Sequence, residues 1–388
     1  MKKRNTTPRM TKPRHRKQSK HQRKARSGRI PNWTIGVDLG DEESSYCVLN
    51  KRGEVVEEAS VLTDREEFGK FFQAQERSRV VMETGTHSPW VSRCAQEAQH
   101  EVIVANARKV KLISQSSSKD DRMDAETLAR LGRADVKLMA PIQHRGEEAQ
   151  ADLVVIRARA ALVRARTMLV NTARGLVKSL GERLPGCEAE RVNPASAGGL
   201  SPDLQKKLKP VLESAAVLSQ QIASCDVQIA VLCKERYPET ERLMQVYGVG
   251  PVIALTFVLT LDNPERFERS REVGPYLGMR PGRRNSGQSE PQLRITKEGD
   301  GYLRSLLVQA AHCALRQNAP DSDLKRFGLK LSKRGGKNAR KRAKVAVARK
   351  LAVLLHRLWK TGAKYDPLYN QKAKAAQKAK PARKKTAA

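Results

Sequence analysis

Four carboxylates in the first third of the chain are spaced in a way that suits metal-assisted chemistry on phosphate. Asp38 lies at the end of an apolar segment, where a lone charge needs a partner or a metal. Glu83 ends a second segment of this kind, and Asp121 and Asp124 share one face of a predicted helix. Such oxygen ligands hold Mg²⁺, and a pair of these ions aligns a phosphodiester for in-line displacement.

Each of these carboxylates also has a structural interpretation. Asp38 could cap the turn that ends at Gly40, and the same short motif opens nucleotide-binding sugar-kinase and actin-like folds. Asp121 and Asp124 could balance the dipole at a helix N-terminus. The sequence contains no P-loop motif, which argues against an ATPase.

The charge of the chain indicates a polyanionic partner. The 388 residues carry a formal charge of +34. Residues 1–30, 331–350 and 372–388 contain thirteen, nine and seven Lys or Arg and no acid. The remainder is nearly balanced, so the sequence predicts a globular body with basic disordered arms that attract DNA or RNA.

Composition argues against several other classes of protein. The longest apolar run, residues 251–261, is too short to span a bilayer, and no apolar segment follows the basic N-terminus as in a signal peptide. The six cysteines form neither a CxxC pair nor a zinc-type cluster. We therefore expect a cytoplasmic protein with reduced thiols.

The predicted elements divide the chain into five segments. After the arm 1–30, short apolar strands alternate with helices over 31–145, which predicts an α/β domain. Two long helices with narrow apolar seams follow over 146–237 and predict an antiparallel pair or an intermolecular coiled coil. Their arginines, Arg157, Arg159, Arg164 and Arg166, form either a solvated face or a nucleic-acid face.

The last two segments are a mainly helical unit over 238–330 and a basic helix and tail over 331–388. The Gly248-Val249-Gly250 turn before an apolar helix resembles half of a helix-hairpin-helix, whose amides bind a DNA phosphate; a simple helix-entry turn explains it equally well. On the residues alone, Ser286 in the Arg-Arg-Asn-Ser-Gly loop is a turn residue. Arg283 and Arg284 beside it are phosphate ligands or ordinary surface charges.

Taken together, the motifs resemble the one-ten family of insertion-sequence transposases over residues 34–316. The motifs of the first half are Ile35-Gly36-Val37-Asp38-Leu39-Gly40, Val81-Met82-Glu83-Thr84-Gly85 and Lys119-Asp120-Asp121-Arg122-Met123-Asp124-Ala125. Those of the second half are Gly248-Val249-Gly250-Pro251, Tyr276-Leu277-Gly278-Met279-Arg280-Pro281, Asn285-Ser286-Gly287 and the stretch from Ile295 to Arg304.

The resemblance implies an α/β RNase H-like (RuvC-like) domain, a helical coiled-coil segment and a mainly α-helical C-terminal transposase domain. It implies that Asp38, Glu83, Asp121 and Asp124 hold two Mg²⁺ ions and that Ser286 is a nucleophile that forms a phosphoserine link to DNA. The residues expected to contact nucleic acid are Lys119, Gly248, Gly250, Arg283, Arg284, Lys297 and Arg304.

The resemblance also implies partners for the protein. These are double-stranded donor and target DNA, a non-coding bridge RNA that pairs with both, and further copies of the chain in a dimer or tetramer. We expect no membrane association, and a prokaryotic, nucleoid-associated location in the cytoplasm.

Two other functions remain open from the sequence. A RuvC-like nuclease would use the same carboxylates with water, and Ser286 would then be structural. A non-catalytic packaging or RNA-binding protein would use the carboxylates only as helix and turn caps.

Overall fold

The computed structural model describes residues 31–108, 121–291, 293–336 and 338–371. The basic arm 1–30, the tail 372–388 and Lys119 therefore lie outside the described residues. The chain divides into two compact units, residues 1–144 and 145–388. The five segments expected from the sequence stay a prediction about domain organisation.

The first unit is built on one five-stranded sheet. Its elements are β1 (Trp33–Asp38), β2 (Glu43–Leu49), β3 (Val55–Leu62), α1 (Arg65–Ala74), β4 (Ser78–Glu83), α2 (Ser88–Glu97), β5 (Glu101–Ala105) and α3 (Asp121–Ala134). The strand order is β3-β2-β1-β4-β5, with β1, β2 and β3 antiparallel and β4 and β5 parallel to β1. This confirms the predicted α/β character of the N-terminal region.

The two faces of the sheet have different coverings because side chains alternate along each strand. Ile35 and Val37 of β1 pack with Phe68 and Phe72 of α1 on one face. Gly36 lies on the other face, which α3 covers. The central strands β1 and β4 are therefore buried on both sides, which explains why they are nearly continuous apolar runs.

The second unit is helical. Its helices are α4 (Glu147–Ser179), α5 (Pro202–Glu235), α6 (Glu239–Met244), α7 (Pro251–Leu261), α8 (Val273–Tyr276), α9 (Gly301–Ala314), α10 (Asp323–Ser332) and α11 (Ala339–Thr361). Helix α11 packs against α8, α9 and α10 in the largest core of the described residues. Helix α7 joins this core by packing on α9 and through Phe257, whose ring centroid lies 6.4 Å from that of Trp359. The apolar run that the sequence singled out is thus a buried core helix.

Helices α4 and α5 pair antiparallel within the chain. The guanidinium of Arg159 donates to Asp226, with Nε 2.5 Å from Oδ1, and Arg166 Nη1 donates to Ser219 Oγ at 3.2 Å. The residue numbers increase from Arg159 to Arg166 along α4 while those of their partners decrease from Asp226 to Ser219 along α5, so the two helices run antiparallel. The sequence left the choice between an intramolecular pair and an intermolecular coiled coil open, and the structure shows the intramolecular pair.

Helix α5 is long and apolar enough to cross a membrane by length and composition. It nevertheless forms the ion pair with α4 described above and contributes Leu212, Ala215 and Ile229 to cores of the second unit. These contacts give α5 a packed seam within the protein, so length and apolarity alone carry no argument for a membrane span.

Candidate active site

Asp38 and Glu83 lie side by side at one edge of the sheet. The parallel strands β1 and β4 pair Val37 with Met82, and Asp38 and Glu83 are the next residues of each strand. Both carboxylates are partly buried. They also lie on the face covered by α3, because each is two residues beyond a position on that face, Gly36 and Val81.

Helix α3 brings Asp124 to the same edge. Arg133, near the end of α3, donates to the carbonyl of Lys51, just beyond the end of β2. Since β2 is antiparallel to β1, the start of α3 lies toward the carboxyl end of β1, where Asp38 is. Asp124 is in the first turn of this helix, and so is Asp121, whose side chain lies outside the described part of the chain.

Gly36 allows α3 to pack closely on β1, which brings Asp124 toward Asp38 and Glu83. A Cβ at this position would lie 2.0 Å from the carbonyl oxygen of Ala125 and 2.6 Å from the amide nitrogen of Ala129. Any side chain would therefore push α3 away from β1. The glycine in the Ile35-Gly36-Val37-Asp38 motif is a requirement for the approach of Asp124, a role that the sequence did not reveal.

The electrostatics of this edge favour a cation. Burial raises the pKa of Glu83, and the negative charges of Asp38 and Asp124 raise it further. In the described residues no three carboxylate, imidazole or thiol groups form a ready-made coordination cluster, and the link between Glu83 and the other two carboxylates is electrostatic. Hard oxygen donors that repel one another fit a divalent cation such as Mg²⁺, because its charge relieves the repulsion.

His87 is a neighbouring titratable group that sequence reasoning missed. It lies in the loop after β4 and contacts Asp41, in the loop after β1, with Nε2 3.1 Å from Oδ1. Trp90 Nε1 donates to His87 Nδ1 at 3.2 Å, so the hydrogen-bond network assigns the proton to Nε2. The signal in the sequence was a histidine four residues after Glu83.

Ser286 lies at the tip of a narrow two-stranded arm in the second unit. The arm is held by backbone hydrogen bonds from Gly282 to Arg294 and from Thr296 to Arg280, and by a mutual pair between Ser286 and Ser289. Ser286 and its neighbours Arg283 and Arg284 are exposed. Among the described residues, no side chain forms a hydrogen bond with the Ser286 hydroxyl, so no base for it is identified.

At the base of the arm, the backbones of its two ends lie in close contact. Gly278 and Gly299 have φ values of 66° and 70°, and a Cβ at either would lie about 2 Å from backbone atoms of the opposite strand or of Tyr276. Arg304 Nη1 donates to the carbonyls of Leu277 and Glu298, at 3.0 and 2.9 Å. These three residues tie the two ends of the arm together.

The other residues expected to contact nucleic acid fall in three settings. Lys297 is exposed at the arm base, with its backbone in the left-handed region. Gly248 has a φ of 87°, and a Cβ there would lie 3.0 Å from the Ala310 carbonyl oxygen, so its packing on α9 requires glycine. Gly250 is the N-cap of α7. None of these placements tests DNA contact, which stays a prediction.

Several arginines of α4 form contacts within the protein. Arg159 and Arg166 bond to residues of α5, and Arg157 pairs with Asp300 and lies over the Tyr302 ring, 5.4 Å from its centroid. Arg164 is exposed. The arginine-rich face is therefore largely a set of partners for neighbouring helices.

Comparison with known families covers both units. The family model for DEDD transposases of the IS110 type, described as a transposase, matches residues 35–181. The model for transposases of the IS116/IS110/IS902 family matches residues 240–326. The first match includes all four carboxylates, and the second includes the Ser286 arm.

The chain is similar to several transposases over most of its own length and of theirs. The chain is 27% identical over 342 residues to the transposase for insertion sequence element IS1111A of Coxiella burnetii, covering 83% of this chain and 88% of that protein. It is 26% identical to a probable family 20 transposase of Pseudomonas aeruginosa and 25% identical to the transposase for IS1328 of Yersinia enterocolitica, each covering 74% of this chain and 86% of the relative. The chain therefore belongs to the IS110 family of insertion-sequence transposases.

Proposed function

We propose that this transposase cuts and rejoins DNA with Ser286 as its nucleophile and with the carboxylates Asp38, Glu83, Asp121 and Asp124 as the holders of two Mg²⁺ ions. The observation that carries the proposal is the placement of Asp38, Glu83 and Asp124 at one sheet edge, where burial and then the charges of Asp38 and Asp124 raise the pKa of Glu83. The strand order, with two parallel strands added to an antiparallel meander, agrees with a RuvC-like, RNase H-like fold.

The chemistry assigned to the protein residues is a phosphoryl transfer. Ser286 Oγ forms a bond to the scissile phosphorus while the bond from phosphorus to a deoxyribose oxygen breaks. The serine proton passes to a base, and the departing oxygen takes up a proton. A cation held by the carboxylates would neutralise charge on the phosphate oxygens. Arg283 and Arg284, exposed beside the serine, bind the same phosphate.

A suicide DNA substrate with Mg²⁺ tests the serine. We expect a covalent protein–DNA adduct that maps to Ser286 by mass spectrometry and is absent from Ser286→Ala and Asp38→Ala. Ser289→Ala is the matched control, because Ser289 lies on the same arm and pairs with Ser286 through its backbone only. This control should form the adduct at the parent rate.

The same experiment separates the alternatives. A water-using RuvC-like nuclease would cleave normally as Ser286→Ala, form no adduct and lose cleavage in the carboxylate variants. A non-catalytic nucleic-acid-binding protein would show no Mg²⁺-dependent DNA chemistry in any variant. Either outcome contradicts the serine mechanism.

The proposal includes the partners that the family resemblance implies. Guidance by a bridge RNA agrees with the basic composition and with the absence of an evident base-reading motif in the sequence. The complex would contain a dimer or tetramer of the chain on donor and target duplexes, in the cytoplasm at the nucleoid. Exchanging the target-pairing segment of the RNA should redirect recombination to the complementary DNA; unchanged target choice would contradict guidance.

A further inference from the structure

The turn between α10 and α11 carries a concentrated positive charge. Between residues 330 and 344 the chain has eight Lys or Arg and no Asp or Glu. The residues among them that are exposed in the structure are Lys330, Lys333, Arg334, Arg340, Lys341 and Arg342. This region follows the stretch matched by the transposase model, which ends at residue 326.

These cations have no partners within the described part of the chain. None of the six forms an ion pair or a side-chain hydrogen bond there. Other exposed cations of the same unit do form ion pairs, as Arg326 does with Asp321 and Lys207 does with Asp203. The charge at this turn is therefore available to an external anion.

The position of the charge conflicts with the stability of α11. A helix N-terminus carries partial positive charge, so cations in its first turn are unfavourable. Helix α11 begins at Ala339, has no acid in its first turn and continues with Arg340, Lys341 and Arg342. A bound polyanion would offset both the repulsion among the side chains and the unfavourable interaction with the dipole.

The helices α10 and α11 that flank the turn are packed closely within the unit. Gly328 of α10 is packed so closely that a Cβ would lie 2.4 Å from Leu315 Cδ2 and 2.7 Å from Val347 Cγ2. At the opposite end, the Asp323 amide donates to the Pro367 carbonyl at 2.8 Å. The turn itself contains Gly335 and Gly336 with φ values of 78° and 86° and open space around both.

From these features we infer that the α10–α11 turn binds the backbone of duplex DNA. Lys and Arg bind phosphates without reading sequence, and the two open glycines leave room for a sugar-phosphate strand. Residues 330–344 include no aromatic side chain, so they offer no stacking surface for a single strand. The inference deepens the proposed function by naming a DNA-holding surface; it rests on DNA as substrate but not on the serine chemistry.

The test measures DNA binding by the full chain without cleavage. All proteins carry Ser286→Ala, so a failure of the serine mechanism cannot affect the result. The test variant combines Lys333→Gln, Arg334→Gln, Arg340→Gln, Lys341→Gln and Arg342→Gln. The control removes five exposed cations near the C-terminus of α4 and the N-terminus of α5. Its substitutions are Lys178→Gln, Arg183→Gln, Lys206→Gln, Lys207→Gln and Lys209→Gln. Both retain the basic arms.

The readout is the slope of log binding constant against log salt concentration for a duplex of arbitrary sequence. Each lost phosphate contact reduces the magnitude of this slope by about 0.9. We therefore expect the slope of the test variant to be smaller in magnitude by about 3 to 4, and the variant to bind DNA about ten- to hundredfold more weakly. The control should stay within about 1 of the parent slope. A variant that exchanges Lys for Arg and Arg for Lys at the five positions should bind like the parent, because backbone binding depends on charge.

Thermal melting completes the test. Because the cations repel one another, the test variant should melt no lower than the parent in the absence of DNA. If it unfolds, the three-site variant of Arg340, Lys341 and Arg342 replaces it, with an expected slope loss of about 2 to 3. Equal slopes in test and control variants would overturn the inference. So would a loss confined to a structured RNA, which would assign the surface to RNA.

Discussion

The sheet edge that carries Asp38 and Glu83 in the first unit (the carboxylate edge) and the arm that carries Ser286 in the second (the serine arm) position their residues in opposite ways. Asp38 and Glu83 end adjacent buried strands, and a helix packed directly on Gly36 brings Asp124 to them. Ser286 is exposed at the tip of a narrow arm that is held by a few backbone hydrogen bonds along its length and by Arg304 at its base. Metal-holding groups need fixed spacing on rigid elements, whereas a nucleophile that must reach a large substrate benefits from an accessible tip.

The largest effect is expected when one carboxylate of the edge loses its charge. Asp38→Asn keeps the shape of the side chain and removes its charge, so we expect DNA strand cleavage to fall by about 10³-fold or more. Single-turnover cleavage with Mg²⁺ measures the effect. Glu66→Gln, which removes an exposed carboxylate of α1, should stay within about twofold of the parent. Equal losses in both variants would contradict a specific role for Asp38.

A methyl group at Gly36 tests whether the carboxylate edge depends on the approach of α3. Gly36→Ala places a Cβ against the Ala125 carbonyl, and we expect a loss of about 2–3 kcal/mol in unfolding free energy together with weaker Mg²⁺-dependent cleavage. Gly69→Ala is the matched control, since nothing lies within 4 Å of a Cβ there and alanine favours the helix α1. Chemical denaturation should show opposite signs for the two substitutions.

The arm is tested at its base. Arg304→Gln removes the guanidinium that joins the Leu277 and Glu298 carbonyls, and we expect adduct formation at Ser286 to slow by about tenfold because the arm loses its fixed direction. Binding of duplex DNA measured in parallel separates this from a loss of phosphate contact. If binding weakens in the same proportion and the rate in the bound complex is unchanged, Arg304 contacts DNA and does not position the arm.

The smallest expected effect concerns the repulsion at the carboxylate edge. Burial, and then the charges of Asp38 and Asp124, raise the pKa of Glu83 in the folded protein, so the folded state binds the proton more tightly than the unfolded state does. This contribution to stability is present at acidic pH and is lost as the pH rises through the folded pKa. Without metal, Glu83→Gln should therefore melt a few degrees higher than the parent near neutral pH and show little difference in acid. A lower melting temperature near neutral pH would argue against the repulsion.

Much of the first unit could be read from local sequence patterns. Strands β1 and β4 lie where the apolar segments that end at Asp38 and Glu83 predicted them, and α3 lies where the helical spacing of Asp121 and Asp124 did. These elements are strongly patterned because each buries one or both faces. The paired placement of Asp38 and Glu83 follows from the ends of two such strands once they are known to be parallel neighbours.

The sequence by itself determined the residue types: a motif order typical of this transposase family, the carboxylates at strand ends and the basic segments at defined places along the chain. Tertiary structure alone decided the partners of those residues. Arg159 pairs with Asp226, 67 residues away, Gly36 meets Ala125, and Arg304 closes the base of the arm. A local pattern records whether a side chain faces a core or solvent. The choice among distant partners depends on how whole elements pack, which no short stretch of sequence contains.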